Sequence, residues 1–144
     1  MTPDTLFLLA TALAASGWAT LLLFPGGDRR VTAVGVGIPI ALGLVYCVIV
    51  AWRWHGSDGG FDSLSSVARL FEDRWLLLAG WIHYLAFDLF IGGWITTDSR
   101  RHHIGILVRV PCLLLTFMFG PAGLIMYLLS RAIRTNVMMA RSAS

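Results

Sequence analysis

The chain has 144 residues, of which 57% are hydrophobic and 13% are charged, and its mean hydropathy is +0.75. Soluble domains are about 45–50% apolar and about 25% charged, and a chain this short cannot bury so much apolar surface in a water-facing core. This composition excludes a soluble domain, a disordered chain and a nucleic-acid-binding module. We therefore predict an all-α integral membrane protein. Its net charge of +3 rests on 11 arginines, because the sequence contains no lysine.

Four segments are long and apolar enough to cross a bilayer, whose hydrocarbon core of ~30 Å requires about 20 helical residues. In chain order these spans cover residues 6–24, 31–52, 75–97 and 104–129. Short turns join the first two spans and the last two, which predicts two antiparallel hairpins. We expect residues 1–144 to form a single transmembrane domain.

The connection between the second and third spans is longer than the other two. Its apolar residues recur at helical spacing, and Asp62 or Ser63 is placed to cap a helix. This pattern predicts a short amphipathic helix at about residues 62–73, lying on the membrane surface.

The distribution of arginines predicts the orientation. Four spans would put both termini on the side that holds Arg53, Arg69, Arg74, Arg131, Arg134 and Arg141, opposite Arg29, Arg30, Arg100 and Arg101. Loops that are richer in arginine stay in the cytoplasm. We therefore expect both termini to be cytoplasmic.

Three ionisable residues stand inside the predicted spans: His83, Asp88 and Arg109. A charged side chain at mid-span costs at least ~2.5–3.5 kcal/mol, so each such group needs an explanation. Asp88 precedes Asp98 by ten residues, which puts it roughly 15 Å from the end of its span. A carboxyl group at this depth must be protonated, paired or in contact with a wet cavity. The structural alternative is a packing role, with Asp88 paired to Arg109 or to the hydroxyl of Thr116.

Arg109 lies about a turn into the fourth span. In an antiparallel hairpin it would face Gly92 and Gly93, within reach of Asp88 or Asp98, although snorkelling to the interface would also account for it. His83 lies about 140° around the helix from Asp88, so the two do not share a face. A packing role for His83 among aromatic side chains remains open.

The remaining candidate groups are aromatic residues, prolines and cysteines. Trp75 and Trp94 lie near the ends of the third span and suit interfacial belts. Between them, Trp81, Tyr84, Phe87 and Phe90 form a flat wall suited to a polyene, although helix packing explains them equally well. Pro111 and Pro121 predict a bent fourth span that borders an internal site. Four histidines are too few for a membrane di-iron enzyme, and isolated Cys47 and Cys112 form no metal-binding motif. We expect no metal and no cofactor.

Two blocks of sequence are similar to a known family. They run from His83 to Phe90, followed by Trp94 and Asp98, and from Pro111 to Gly123. Both resemble the neoxanthin-synthase-like (abscisic-acid-deficient-four-like) membrane proteins. Plant members take part in carotenoid biosynthesis, in the isomerisation of an epoxide to an allene. The absence of a plastid leader and the arginine bias lead us to expect a bacterial-type member in the inner (cytoplasmic) membrane.

The resemblance implies an isomerase that acts on a carotenoid or a related isoprenoid lipid. Opening an epoxide requires a general acid at oxygen and a base at carbon. Asp88 would be the acid and His83 or Asp98 the base, with Arg109 stabilising the alkoxide. The expected substrate-binding residues are Tyr84, Phe87, Trp94, Thr116 and Phe119.

Two alternatives remain open at this point. The chain could be a non-catalytic membrane protein that binds or presents a carotenoid or lipid, or a structural subunit of a membrane complex. Its glycine-rich faces are also compatible with a homo-oligomer. Membrane lipid and an isoprenoid ligand are the partners that we expect in each case.

Overall fold

The computed structural model describes residues 2–142, and the side chains of residues 2–136. This part of the chain forms seven α-helices: α1 (Pro3–Leu23), α2 (Asp28–Thr32), α3 (Ile38–Arg53), α4 (Leu64–Leu70), α5 (Arg74–Arg101), α6 (Ile106–Phe119) and α7 (Pro121–Ser142). A π-helical segment, Ala33–Gly37, joins α2 to α3 without a break. The predicted all-helical class is confirmed.

Three segments within the described residues are long and apolar enough to cross a membrane: Pro3–Leu23, Asp28–Gly56 and Arg74–Arg101. The last of these, α5, lies at the centre and contacts α1, α3 and α6. Arg74 at the start of α5 forms an ion pair with Asp4 at the start of α1, so these helices run in the same direction. The end of α3 meets the start of α5, where the Trp52 and Trp75 ring centroids are 5.3 Å apart. Helix α3 is therefore antiparallel to both.

Side-chain caps explain where several helices begin. The hydroxyl of Thr2 accepts a hydrogen bond from the Thr5 N–H at the start of α1, where proline at the first position suits the fixed geometry of a helix start. The hydroxyl of Ser63 accepts from the Ser66 N–H and begins α4. A helix capped by Ser63 in this connection is thus confirmed, but it is shorter than the predicted residues 62–73, and its position on the membrane surface stays a prediction.

The predicted fourth span, residues 104–129, is not a single helix. Helix α6 ends at Phe119, and Gly120 takes a positive φ of 34° before α7 begins at Pro121. The Tyr127 hydroxyl then donates a hydrogen bond of 2.6 Å to Asp98 Oδ2. Because Asp98 lies in the last turn of α5, α7 has returned to the end of α5 near which α6 starts. We call α6 and α7 together the re-entrant hairpin.

The reversal has a local cause at Gly120–Pro121. Proline disfavours helical geometry at the residue before it, and it has no N–H to continue the hydrogen bonds of α6. Glycine adopts the left-handed backbone at little cost. Pro111, which we also expected to bend the span, stays inside α6. A bent span was therefore the wrong prediction from these prolines.

The hairpin changes the expected arrangement of the two ends of the bundle. Asp4 and Arg74 lie at one end, which we call the amino end. Asp28 pairs with Arg100 at the other end, where Arg131 also approaches Asp98; we call this the hairpin end. The expectation that both termini lie on the cytoplasmic side rested on four spans. The described residues contain three segments that are long and apolar enough to cross, so this expectation loses its basis.

Two glycines bring α5 against the π-helical segment. A β-carbon on Gly93 would come within 2.6 Å of the Gly35 Cα, and one on Gly35 within 2.8 Å of the Gly93 Cα. Gly92 packs instead against the Trp18 ring of α1. Small residues thus allow these helices to approach each other closely. Gly92 therefore faces the first span and Gly93 faces the second. The expectation that these two glycines face Arg109 was wrong.

An ion pair between Arg53 and Asp73 at the amino end makes the stability of the fold depend on pH. Burial raises the pKa of Asp73, but the Arg53 guanidinium and the backbone N–H groups of Leu76 and Trp75 outweigh it and hold that pKa below 3.8. Since the folded state prefers the carboxylate, this stabilisation is present above pH 3.8 and is lost as the pH falls towards the lower folded value.

We expect Asp73→Asn to reduce the difference in unfolding free energy between pH 7 and pH 3. Asparagine keeps the cap on α5 but carries no charge. Tryptophan fluorescence during denaturation at the two pH values measures the effect, with Asp58→Asn as the exposed control. An equal acid sensitivity in the wild type and Asp73→Asn would contradict it.

Candidate functional site

The turn of the re-entrant hairpin lies against Asp88, midway along α5. A β-carbon on Gly120 would come within 2.7 Å of Asp88 Oδ1, so the carboxyl group touches the turn directly. One helical turn before Asp88, the Tyr84 hydroxyl donates a 2.9 Å hydrogen bond to the Phe117 carbonyl. Asp88 and Tyr84 are both partly buried. We call this group of Tyr84, Asp88, Phe117 and Gly120 the Asp88 site.

One oxygen of the carboxyl group has no polar partner. Asp88 Oδ2 is buried and makes no hydrogen bond within the described residues. Leaving a carboxyl oxygen unpaired in an apolar environment is costly, so native proteins do it rarely outside functional sites. Helix α7 begins beside this carboxyl group, and its N-terminal N–H groups favour negative charge there.

Two predicted substrate-binding residues lie at the same turn. Phe119 precedes Gly120 and is 64% exposed, so its ring faces the lipid beside the Asp88 site. Thr116 is fully buried, and its hydroxyl donates to the Cys112 carbonyl within α6. Tyr84 and Phe119 therefore lie at the turn that touches Asp88, whereas the Thr116 hydroxyl bonds within α6 and does not pair with the carboxyl group.

Asp98 belongs to a separate, fully engaged network at the hairpin end. Its Oδ2 atom accepts from the Tyr127 hydroxyl and lies 3.4 Å from Arg131 Nη1 and from His102 Nδ1. Arg131 Nη2 is also 3.1 Å from His102 Nε2. This network fastens α7 to the last turn of α5. Because Asp98 lies about 15 Å along α5 from Asp88, one substrate atom cannot contact both.

The other predicted catalytic residues do not meet Asp88. His83 is exposed and stacks on Phe87 with ring centroids 4.5 Å apart, on the side of α3. Arg109 is buried in α6 and pairs with neither Asp88 nor Asp98. The expected combination of Asp88 with His83, Asp98 and Arg109 in a single site is therefore not what the described residues form.

A groove follows the contact between α3 and α5. Its central part has a volume of about 410 Å³ and an apolar lining that includes Pro39, Gly43, Phe87 and Phe90. Towards the hairpin end it continues past Trp94. It then reaches polar side chains, including Thr32, Thr97 and Arg101. We call this the α3–α5 groove.

Trp94 lies between the α3–α5 groove and the hydrogen-bond network of Asp98. Its ring lines the groove and packs edge-on against Tyr127, with centroids 5.6 Å apart. Phe87 and Trp94, both predicted to bind substrate, therefore face the groove and not the Asp88 site. The aromatic residues of α5 form two separate surfaces instead of one wall.

Within the part of the chain that the structure describes, no three His, Cys, Asp or Glu side chains lie close enough to share a metal ion. The chemistry that the Asp88 site offers is proton transfer by a carboxyl group in an apolar environment.

Sequence reasoning did not identify Gly120 as part of the Asp88 site, nor Tyr127 and Arg131 as partners of Asp98. The Gly120–Pro121 pair was a signal for a reversal, because this dipeptide marks turns.

Comparison with known protein families gives a match over most of the chain. The family model described as ABA DEFICIENT 4-like matches residues 5–127, which span all three membrane-crossing segments, α6 and the first part of α7. No curated protein and no solved structure matches the chain.

Proposed function

We propose that this chain, which belongs to the ABA DEFICIENT 4-like family, is a membrane enzyme that isomerises a carotenoid or a related isoprenoid by acid–base chemistry. Asp88 carries the proposal. It is a carboxyl group at mid-membrane, held against a turn of the backbone, with one buried oxygen that has no partner. Ionisable groups inside a membrane are costly and mark function more often than structure.

The reaction class follows from what a single carboxyl group can do. An isomerisation of an epoxide moves one proton from carbon to oxygen, so the enzyme gains and loses none overall. Protonated Asp88 would donate its proton to the epoxide oxygen as the C–O bond breaks. The resulting carboxylate would then remove a proton from the neighbouring carbon as the new C=C bond forms. Asp88 ends the cycle protonated, as it began.

The surroundings of Asp88 fit this cycle. The brief carboxylate stage is favoured by the N-terminus of α7, which begins beside Asp88. Tyr84 lies one helical turn before Asp88, and its hydroxyl donates to the Phe117 carbonyl at the turn. Phe117 and Phe119 are exposed beside the site and offer flat surfaces to a polyene. The substrate's reactive ring would enter to mid-membrane from the lipid.

The test is expression of the chain in a carotenoid-producing bacterial host. Extracted pigments are compared by liquid chromatography and mass spectrometry with those of an empty-vector strain. A new pigment of unchanged mass supports isomerisation. A new pigment of altered mass would overturn it in favour of another carotenoid reaction.

The α3–α5 groove supports a second candidate function, the binding or presentation of a carotenoid without catalysis. This groove runs along α5 away from Asp88, and a rod-shaped ligand could lie in it without touching the carboxyl group. Pigment that co-purifies equally with the wild type and with Asp88→Asn, with no new pigment in either strain, would favour binding over catalysis.

We also propose an orientation of the protein in the membrane. With three spans instead of four, the arginines divide differently between the two ends of the bundle. The amino end carries Arg53, Arg69 and Arg74, and the hairpin end carries Arg29, Arg30, Arg100, Arg101, Arg131 and Arg134. The end richer in arginine stays in the cytoplasm. The hairpin end is therefore cytoplasmic, and the amino end faces outwards.

Single cysteines test this orientation. In a chain that carries Cys47→Ala and Cys112→Ala, we expect a membrane-impermeant maleimide to label His55→Cys in intact cells and Gly26→Cys only after lysis. Both positions lie in exposed connections at opposite ends of the bundle. The reverse labelling pattern would contradict the orientation.

A further inference from the structure

Arg109 is a buried cation for which the described residues supply no anion. It is 8% exposed and shares the inward face of α6 with Cys112, Leu113 and Thr116. Its guanidinium makes no ion pair and no hydrogen bond with residues 2–136, and its Nε atom is fully enclosed without a partner. A buried charge in this state is unfavourable unless something outside the chain compensates for it.

The surrounding charges make the need for an anion stronger. A second arginine, Arg100, lies in the last turn of α5 at the same end of the bundle. Arg100 is already held by Asp28 and by the Pro25 carbonyl. The nearest acid expected from the sequence, Asp98, is taken up by Tyr127, His102 and Arg131. Arg100 and Asp98 therefore have partners of their own, and the described residues leave Arg109 without an anion.

The depth of Arg109 indicates what could supply that anion. It lies in the first turn of α6, about 5 Å along the helix from Ile106, where the chain enters the bundle. At this level a membrane presents the phosphate groups of its lipids. The planar guanidinium group suits a phosphate because it donates two parallel hydrogen bonds.

We propose that Arg109 binds the phosphate of an anionic phospholipid at the hairpin end of the bundle. This site is separate from the Asp88 site, and it does not depend on the proposed reaction. An anionic lipid bound here would hold α6 against the core and so stabilise the re-entrant hairpin.

The experiment uses the delipidated full chain in detergent, with phosphatidylglycerol, phosphatidylcholine or inorganic phosphate added. Native mass spectrometry counts bound lipid, and tryptophan fluorescence follows thermal unfolding. We expect one retained phosphatidylglycerol and a higher unfolding temperature with that lipid than with phosphatidylcholine. Arg109→Gln should weaken retention by about tenfold or more, the factor that charge-assisted hydrogen bonds supply. Arg29→Gln, an exposed arginine at the same end, should bind as the wild type does.

The unfolding temperature of Arg109→Gln without lipid provides a second, independent test. Because Arg109→Gln removes an uncompensated charge, its unfolding temperature in detergent alone should equal or exceed that of the wild type. A clear decrease there would overturn the proposal, since it would show that Arg109 stabilises the fold by itself. Equal retention of phosphatidylglycerol by Arg109→Gln would also overturn it, as would equal stabilisation by inorganic phosphate.

Discussion

Replacing Asp88 by asparagine lowers formation of the isomerised pigment by about 100-fold or more, the low end of what a general acid–base group contributes. Asparagine preserves the size of the side chain and its contact with Gly120. It can neither donate the proton to the substrate's oxygen nor remove one from carbon. Product is measured by mass spectrometry in the carotenoid-producing host and divided by the amount of protein in the membrane.

Two variants serve as controls for Asp88→Asn. Asp62→Asn changes an exposed acid in the connection before α4 and should leave product formation unchanged. Tyr84→Phe removes the hydroxyl that bonds to the Phe117 carbonyl at the turn and should cause a smaller loss than Asp88→Asn. Full product formation by Asp88→Asn would remove Asp88 from the mechanism.

Replacing Gly93 by alanine destabilises the protein by about 1–3 kcal/mol, the usual cost of overpacking a tight core. The added methyl group would come within 2.6 Å of the Gly35 Cα. Because the opposing atom belongs to the backbone, no side chain can rotate away, and α5 must separate from the π-helical segment. Chemical denaturation in detergent, followed by tryptophan fluorescence, measures the loss.

The matched control for Gly93→Ala is Gly43→Ala. Gly43 lies in α3, and a β-carbon there meets no atom within 4 Å. Alanine also has the higher helix propensity, so this variant should be as stable as the wild type or slightly more stable. Equal stability of the two variants would mean that the Gly35–Gly93 contact does not determine how closely these helices pack.

The three spans were predictable from the sequence because length and hydropathy report directly on the cost of placing residues in lipid. The same reasoning failed for residues 104–129. Their apolar run is long enough to cross the membrane, and hydropathy does not distinguish a crossing helix from two shorter helices that enter and return. Only the conformation of Gly120 and the bond between Tyr127 and Asp98 separate these two cases.

The candidate site was predictable in part for a related reason. Asp88 stood out because a carboxyl group at mid-span is costly wherever the neighbouring helices lie. The residues that surround Asp88 were not predictable, because tertiary structure determines which side chains meet it. The prediction that Arg109 pairs with Asp88 or Asp98 assumed a crossing fourth span, and the return of α7 brings Arg131 to Asp98 instead. A single sequence could not show which of the two arginines would reach that acid.

Whether Asp88 is a protonated carboxyl group that meets the substrate is tested most directly by reaction of the purified protein with dicyclohexylcarbodiimide, which modifies protonated carboxyl groups in apolar surroundings. Mass spectrometry of the peptides locates the modified residue, with and without added carotenoid. We predict modification of Asp88 but not of Asp98, whose carboxyl group is already bonded to Tyr127, and slower modification of Asp88 when carotenoid is bound. An unreactive Asp88, or a rate that carotenoid leaves unchanged, would contradict the proposal that this carboxyl group meets the substrate.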